Sequence, residues 1–123
     1  MRIMRPEDAH RIYVDAFNSG TVEAVLGLYK QDAAFVPQPG QVLSGPKAIG
    51  EALQQFQSEG AMAAETRYCI TCGDVALASA RWWIKGRSRE GDVIKFEGTS
   101  AEVLRRHSDG CWLFAVDHPF GAC

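Results

Sequence analysis

The spacing of apolar residues changes at Gly60, and that change restricts the possible folds more than any motif in the chain does. Before Gly60 the spacing is helical. In PEDAHRIYVDAFNSG, the residues Ala9, Ile12, Tyr13, Ala16 and Phe17 recur three and four apart and form one stripe. Pro6 suits the first turn of such a helix, Glu7 and Asp8 suit its positive end, and Asn18-Ser19-Gly20 stops it. Thr21 caps a second predicted helix, with Val22, Val25, Leu26 and Tyr29 on one face. Ser44-Gly45-Pro46 opens a third, carrying Ile49, Leu53 and Phe56. Between the last two, AAFVPQPGQVL predicts a short strand broken by Pro37 and Pro39. Beyond Gly60 the texture is that of strands, predicted over 64–72, 75–87, 93–107 and 111–118. Cys72-Gly73-Asp74 and the stretch from Arg87 to Asp92 form turns between them. Helices followed by consecutive antiparallel strands predict an α+β domain.

A chain of 123 residues has room for one core, so residues 1–123 are expected to form a single domain. The apolar fraction, 46%, is that of a globular chain, and a net charge of −2 gives nucleic acid no electrostatic foothold. No apolar run approaches the roughly 20 residues that span a bilayer. The opening MRIMRPEDAHR lacks the apolar segment of a secretory signal, so the expected setting is cytoplasmic, with no membrane partner.

Cys69-Ile-Thr-Cys72 has the C-x-x-C spacing of a metal or redox site. It lies in a predicted strand, where positions three apart point to opposite faces. Reduced thiols are therefore expected at Cys69, Cys72, Cys111 and Cys123, with no metal and no cofactor. Strands as long as 75–87 tend to curl, and a curled sheet over helices encloses a conical interior able to hold a ligand.

Four stretches carry a resemblance that covers nearly the whole chain: YVDAFNSGTVEAVLGLYKQDAAFV, LSGPKAIGEAL, VALASARWWIKG and EVLRRHSDGCWLFAVDHPFG. They resemble the SnoaL-like and ketosteroid-isomerase-like proteins of the nuclear transport factor 2 superfamily. The resemblance implies a cystatin-like conical barrel, with three N-terminal helices packed in a curved, mostly antiparallel sheet. It also implies a homodimer formed through the convex sheet face. As function it implies binding of a small hydrophobic molecule, with or without isomerase, cyclase or hydrolase chemistry. The alternative within the same fold is a non-catalytic dimerisation or protein-association module.

Carried over residue by residue, the hydrogen-bond donors of the steroid isomerases match Tyr13 on the first helix and Glu102 on the third long strand. The position of their general base is Pro37, which cannot accept a proton, so steroid-type isomerisation is not expected. The same match turns Ser79, Arg81 and Trp83 inward, with Ala78, Ala80 and Trp82 outward. Trp82 is then expected in the dimer interface. Glu102 and Leu104 are expected inward on the third strand, and Leu113, Ala115 and Asp117 on the last. Arg81 would pair with Glu102, either as a structural ion pair or as part of the binding site. Asp117 and His118, at the end of the last strand, are candidate bases. Arg81 flanked by two carboxylates would alternatively suit the activation of water.

Overall fold

The computed structural model describes residues 2–122. A 3-10 turn over Pro6–Asp8 leads into helix α1, Ala9–Asn18. Helix α2, Val22–Leu26, and helix α3, Pro46–Ser58, complete the helical layer. The strands are β1 (Tyr29–Gln38), β2 (Gln41–Ser44), β3 (Ala61–Cys72), β4 (Val75–Arg87), β5 (Val93–Thr99), β6 (Ala101–Arg106) and β7 (Trp112–His118). They form one sheet in the order β2-β1-β7-β6-β4-β3, with β5 paired to the second half of β4. Only β1 and β7 run parallel; the other pairs are antiparallel. The helices pack against this curved sheet in an α+β fold, and the sheet does not close on itself. No helix among the described residues is long and apolar enough to cross a membrane.

The apolar stripes become the core. Ile12, Ala16 and Phe17 of α1 and Ile49 and Leu53 of α3 are buried against Phe35, Ala78, Ile84, Leu104 and Phe114 of the sheet. Full burial of a side chain such as Phe35 or Leu104 stabilises the fold by about 1.5–3 kcal/mol. The start of β3 crosses β4 at a pair of glycines. A Cβ on Gly60 would lie 2.2 Å from the Lys85 carbonyl oxygen, and one on Gly86 would lie 2.0 Å from the Glu59 carbonyl oxygen. This close backbone approach excludes any side chain at either position.

Several boundaries differ from expectation. Helix α2 stops at Leu26, and Tyr29 opens β1 instead of extending the helix. Strand β1 is ten residues long and runs through Pro37; Pro39-Gly40 then turns into β2. The predicted strand 93–107 is two strands broken at Ser100, whose backbone N–H donates to the Ala80 carbonyl at 2.8 Å. Its hydroxyl accepts from the Ala80 N–H at 2.9 Å. Cys69 and Cys72 lie opposite Ala78 and Val75 on β3 and so point to opposite faces; Cys69 packs against the core and Cys72 is exposed. Cys123 lies outside the described residues.

Register decides which faces look inward. On β4, Ala76, Ala78, Ala80, Trp82 and Ile84 are buried on the inner face. The expected inward set, Ser79, Arg81 and Trp83, has the opposite parity and lies on the outer face. On β7, Val103 is paired with Val116 and Leu104 with Phe114, which leaves Ala115 as a bulge. Trp112, Phe114 and Asp117 consequently face inward, while the expected Leu113 and Ala115 do not.

Candidate functional site

Between α1, α3 and the inner face of the sheet lies a cavity with about 560 Å³ of empty space, open mouth included. Its walls are apolar and largely aromatic: Phe17, Phe35, Phe56, Trp82 and Phe114, with Met62 and Leu53. Phe56 meets Trp82 edge to face at 6.4 Å between ring centroids, and Tyr13 meets Phe114 at 5.5 Å.

The polar groups gather at one end. Glu102 of β6 and Asp117 of β7 are directly opposed in register, both inward and only 4% and 6% exposed. Helix α1 supplies a partner for Glu102 and strand β1 one for Asp117. His10 Nε2 lies 2.7 Å from Glu102 Oε1, and His10 Nδ1 lies 2.8 Å from the Thr66 hydroxyl on β3. The Nε2–H donates to the carboxylate, and Nδ1 shares the second hydrogen bond with the Thr66 hydroxyl. On the other side the Tyr29 hydroxyl donates to Asp117. It exchanges a second hydrogen bond with Tyr13, 2.8 Å away. Because Tyr29 spends its only proton on Asp117, Tyr13 is the donor to Tyr29, and the three groups form a relay.

Burial sets the electrostatics. Desolvation, followed by the neighbouring charge of Glu102, raises Asp117 to about 7, against the opposing pull of the Tyr29 hydrogen bond. Burial and then the charge of Asp117 push both Tyr13 and Tyr29 well above the usual phenol range, so both stay protonated. Asp117 is thus raised into the neutral range, while the two tyrosines keep their protons there.

The sequence reading is met unevenly by this geometry. Tyr13, Glu102 and Asp117 come together in the cavity. Leu104 is inward, but it is sealed in the core and does not line the cavity. Arg81 is exposed on the outer face opposite Glu65 and Thr99, so the expected Arg81–Glu102 pair does not form; Glu102 pairs with His10 instead. Trp83 is outward as well, and Trp82, expected in an interface, lines the cavity with its indole N–H donating to the Pro119 carbonyl at 2.7 Å. Ser79 is buried on the outer side, donating to the Ser100 carbonyl at 2.5 Å and accepting from Arg67 at 3.0 Å. His118, paired with Ala101, does not line the cavity, and its Nδ1 is buried without a hydrogen-bond partner among the described residues. Pro37 lines a separate groove with Gln38, Leu43 and Gln55.

The reading missed two residues, His10 and Tyr29. His10 stands three before Tyr13 and seven before Phe17, on the same stripe of α1, and that spacing was the available signal.

Residues 10–116 match the sequence profile of the SnoaL-like domain. The chain belongs to the SnoaL-like domain family. Known structures agree on the fold of this SnoaL-like domain. A ketosteroid isomerase-like protein from Erwinia carotovora atroseptica SCRI1043 superposes with a TM-score of 0.77 at 23% identity, covering 92% of this chain and 90% of that one. A conserved protein from Planctomyces limnophilus DSM 3776 gives 0.79 at 20% identity, covering 93% and 91%. A nuclear transport factor 2-like superfamily protein from Salmonella enterica serovar Typhimurium LT2 gives 0.74 at 15% identity, covering 92% and 84%. No curated protein matches the chain. At these identities the likeness establishes the fold and leaves the chemistry to the cavity itself.

Proposed function

We propose that this SnoaL-like domain holds a small, flat, largely apolar molecule in the cavity, with its polar end against Glu102 and Asp117. In this reading Asp117 exchanges a proton with that end. The observation that carries it is Asp117: buried at the end of the cavity, hydrogen-bonded through Tyr29 to Tyr13, and raised by that burial to about 7. A proton carrier works best when its pKa lies near the operating pH, and a positioned one contributes roughly 10²–10⁴-fold to a rate. The relay Tyr13–Tyr29–Asp117 stabilises the carboxylate once the proton has left, and His10 fixes the neighbouring Glu102. The aromatic walls fit a thin guest. Activation of water by an arginine between two carboxylates is not supported, because Arg81 faces away.

The test is a fragment screen read by nuclear magnetic resonance on the Trp82 indole N–H, which sits in the cavity wall. Binders should shift that signal and leave those of Trp83 and Trp112 in place. The Asp117→Asn variant should abolish any proton exchange detected on a bound fragment. Fragments that move Trp83 or Trp112 but never Trp82 would refute the reading.

A second feature supports self-association, the homodimer that the family resemblance implies. Ile70, Leu77, Val103 and Val116 are paired in succession across β3, β4, β6 and β7 and form an apolar row on the outer face. Ile70, Leu77 and Val116 are 59%, 43% and 39% exposed. A contiguous patch of this kind is uncommon on a monomer. Sedimentation at micromolar concentration should give twice the chain mass, and Leu77→Lys should give the monomer with fragment binding in the cavity intact. A wild-type monomer would remove the dimer from the proposal.

A further inference from the structure

We propose that the cavity is built for an organic cation, namely the protonated amine of a small aromatic molecule. The inference rests on reading the cavity as a small-molecule site and adds the chemical class of the guest.

The argument is a census of hydrogens. With Asp117 ionised, every polar hydrogen that the lining side chains offer is already given to the protein. His10 Nε2–H goes to Glu102, the Tyr13 hydroxyl to Tyr29, the Trp82 indole N–H to the Pro119 carbonyl and the Ser100 hydroxyl to the Ala80 carbonyl. Tyr29, behind Tyr13, gives its own to Asp117. Acceptors are left over. Glu102 uses only Oε1 and Asp117 only Oδ2; among the described residues, nothing donates to Oε2 or Oδ1. Neither oxygen is sealed from open space, since among the described residues the only buried side-chain nitrogen or oxygen without a partner is in His118. Among the described residues, no lysine or arginine lines the cavity. An anionic guest would meet no free cation there, and a ketone oxygen would meet no free donor. An ammonium group brings three donors and one positive charge to two open carboxyl oxygens. Aromatic faces such as Trp82 and Phe56 suit the rest of such a molecule and favour a nearby cation.

Below neutral pH the proton on Asp117 is the one donor that could interfere. An arriving ammonium displaces it: the carboxyl O–H bond breaks, the proton leaves to solvent, and the carboxylate accepts from the ammonium. The charged and titratable groups that face Asp117 are Glu102 from β6, Tyr29 from β1, and Tyr13 and His10 from α1. None of the four is a lysine or arginine, so the site holds no permanent cation to meet the new carboxylate.

The experiment is titration calorimetry of the full chain with 2-phenylethylammonium, 2-phenylethanol, phenylacetone and 3-phenylpropionate. The amine should bind at least about tenfold more tightly than the alcohol, and the carboxylate should not bind. At pH 6, titrations in buffers of different ionisation enthalpy should show proton release with the amine alone. Glu102→Gln should weaken the amine at least about tenfold and narrow its advantage over the alcohol; if that variant does not fold, the wild-type panel decides alone. Ketone binding as tight as amine binding overturns the inference but leaves the wider proposal standing. Failure of all four ligands to bind removes both.

Discussion

Replacing Asp117 by Asn should make the protein more stable at pH 8, although it removes the group proposed to carry the proton. In an unfolded chain an aspartate titrates near 3.9, as a general value. In the folded protein burial and the charge of Glu102 raise Asp117 to about 7. The native state therefore holds a proton that the unfolded state has already released between these values. Stability gained from the protonated form is complete below pH about 4 and falls as pH rises toward 7, at about 1.4 kcal/mol per pH unit. Over the roughly three units between the two values the loss is about 4 kcal/mol. Asparagine keeps a carbonyl oxygen for the Tyr29 hydroxyl and has no charge to desolvate, so it carries no such slope. Urea unfolding of both proteins at pH 4, 5, 6, 7 and 8, followed by tryptophan fluorescence, gives the comparison. The two curves should lie close at pH 4, diverge in favour of the variant up to about pH 7, and run parallel above it. Glu102→Gln removes the second cause of the shift, so in that background the gain from Asp117→Asn should shrink. Parallel pH profiles from 4 to 8 would refute the argument, because Asp117 would then not be titrating in that window.

The remaining predictions concern the scaffold. Gly86→Ala should destabilise the protein by about 1–3 kcal/mol, visible as a lower thermal midpoint, because its Cβ would collide with the backbone at Glu59. Leu104→Ala should cost about 2–5 kcal/mol of stability in urea and leave fragment affinity unchanged, since the side chain is fully buried and does not reach the cavity. Arg81→Met should change stability by no more than about 0.5 kcal/mol and leave the Trp82 response to fragments intact, which separates it from Glu102.

The helical stripes and the strand texture were legible because each depends on local spacing alone. Tyr13, Glu102 and Asp117 were found through the resemblance, and the fold does bring them together. The face of β4 was misread, although its own alternation was informative. Ala76, Ala78, Ala80, Trp82 and Ile84 are all apolar at even positions, while Arg81, Lys85 and Arg87 fall at odd ones. Carrying distant relatives onto the strand placed it one residue out of register, and a slip of one residue exchanges the two faces. Tyr29 was drawn into the second helix because it stands three after Leu26; the helix ends at Leu26, and Tyr29 becomes the first residue of β1. His10 gives no local signal beyond its place on the stripe of α1, yet burial there is what obliges it to find Glu102 and Thr66.

The chemistry of the last strand depends on a feature that alternation hides. Phe114 is held inward by the core, where it packs against Tyr13 and Tyr29. In a regular strand the next inward residue would be Val116, and Asp117 would point to the outer face. The bulge at Ala115 adds one residue without using up a pairing position, so Val116 turns outward onto the apolar row and Asp117 turns inward beside Glu102. One unpaired residue thus makes two assignments at once. It removes a valine from the cavity and gives it to the outer surface, and it brings a carboxyl group into an apolar interior. Burial there raises that carboxyl to about 7, within the range where it gains or loses a proton near neutral pH. The apolar strand ends on a carboxylate because the bulge turns that strand end into the wall of a site.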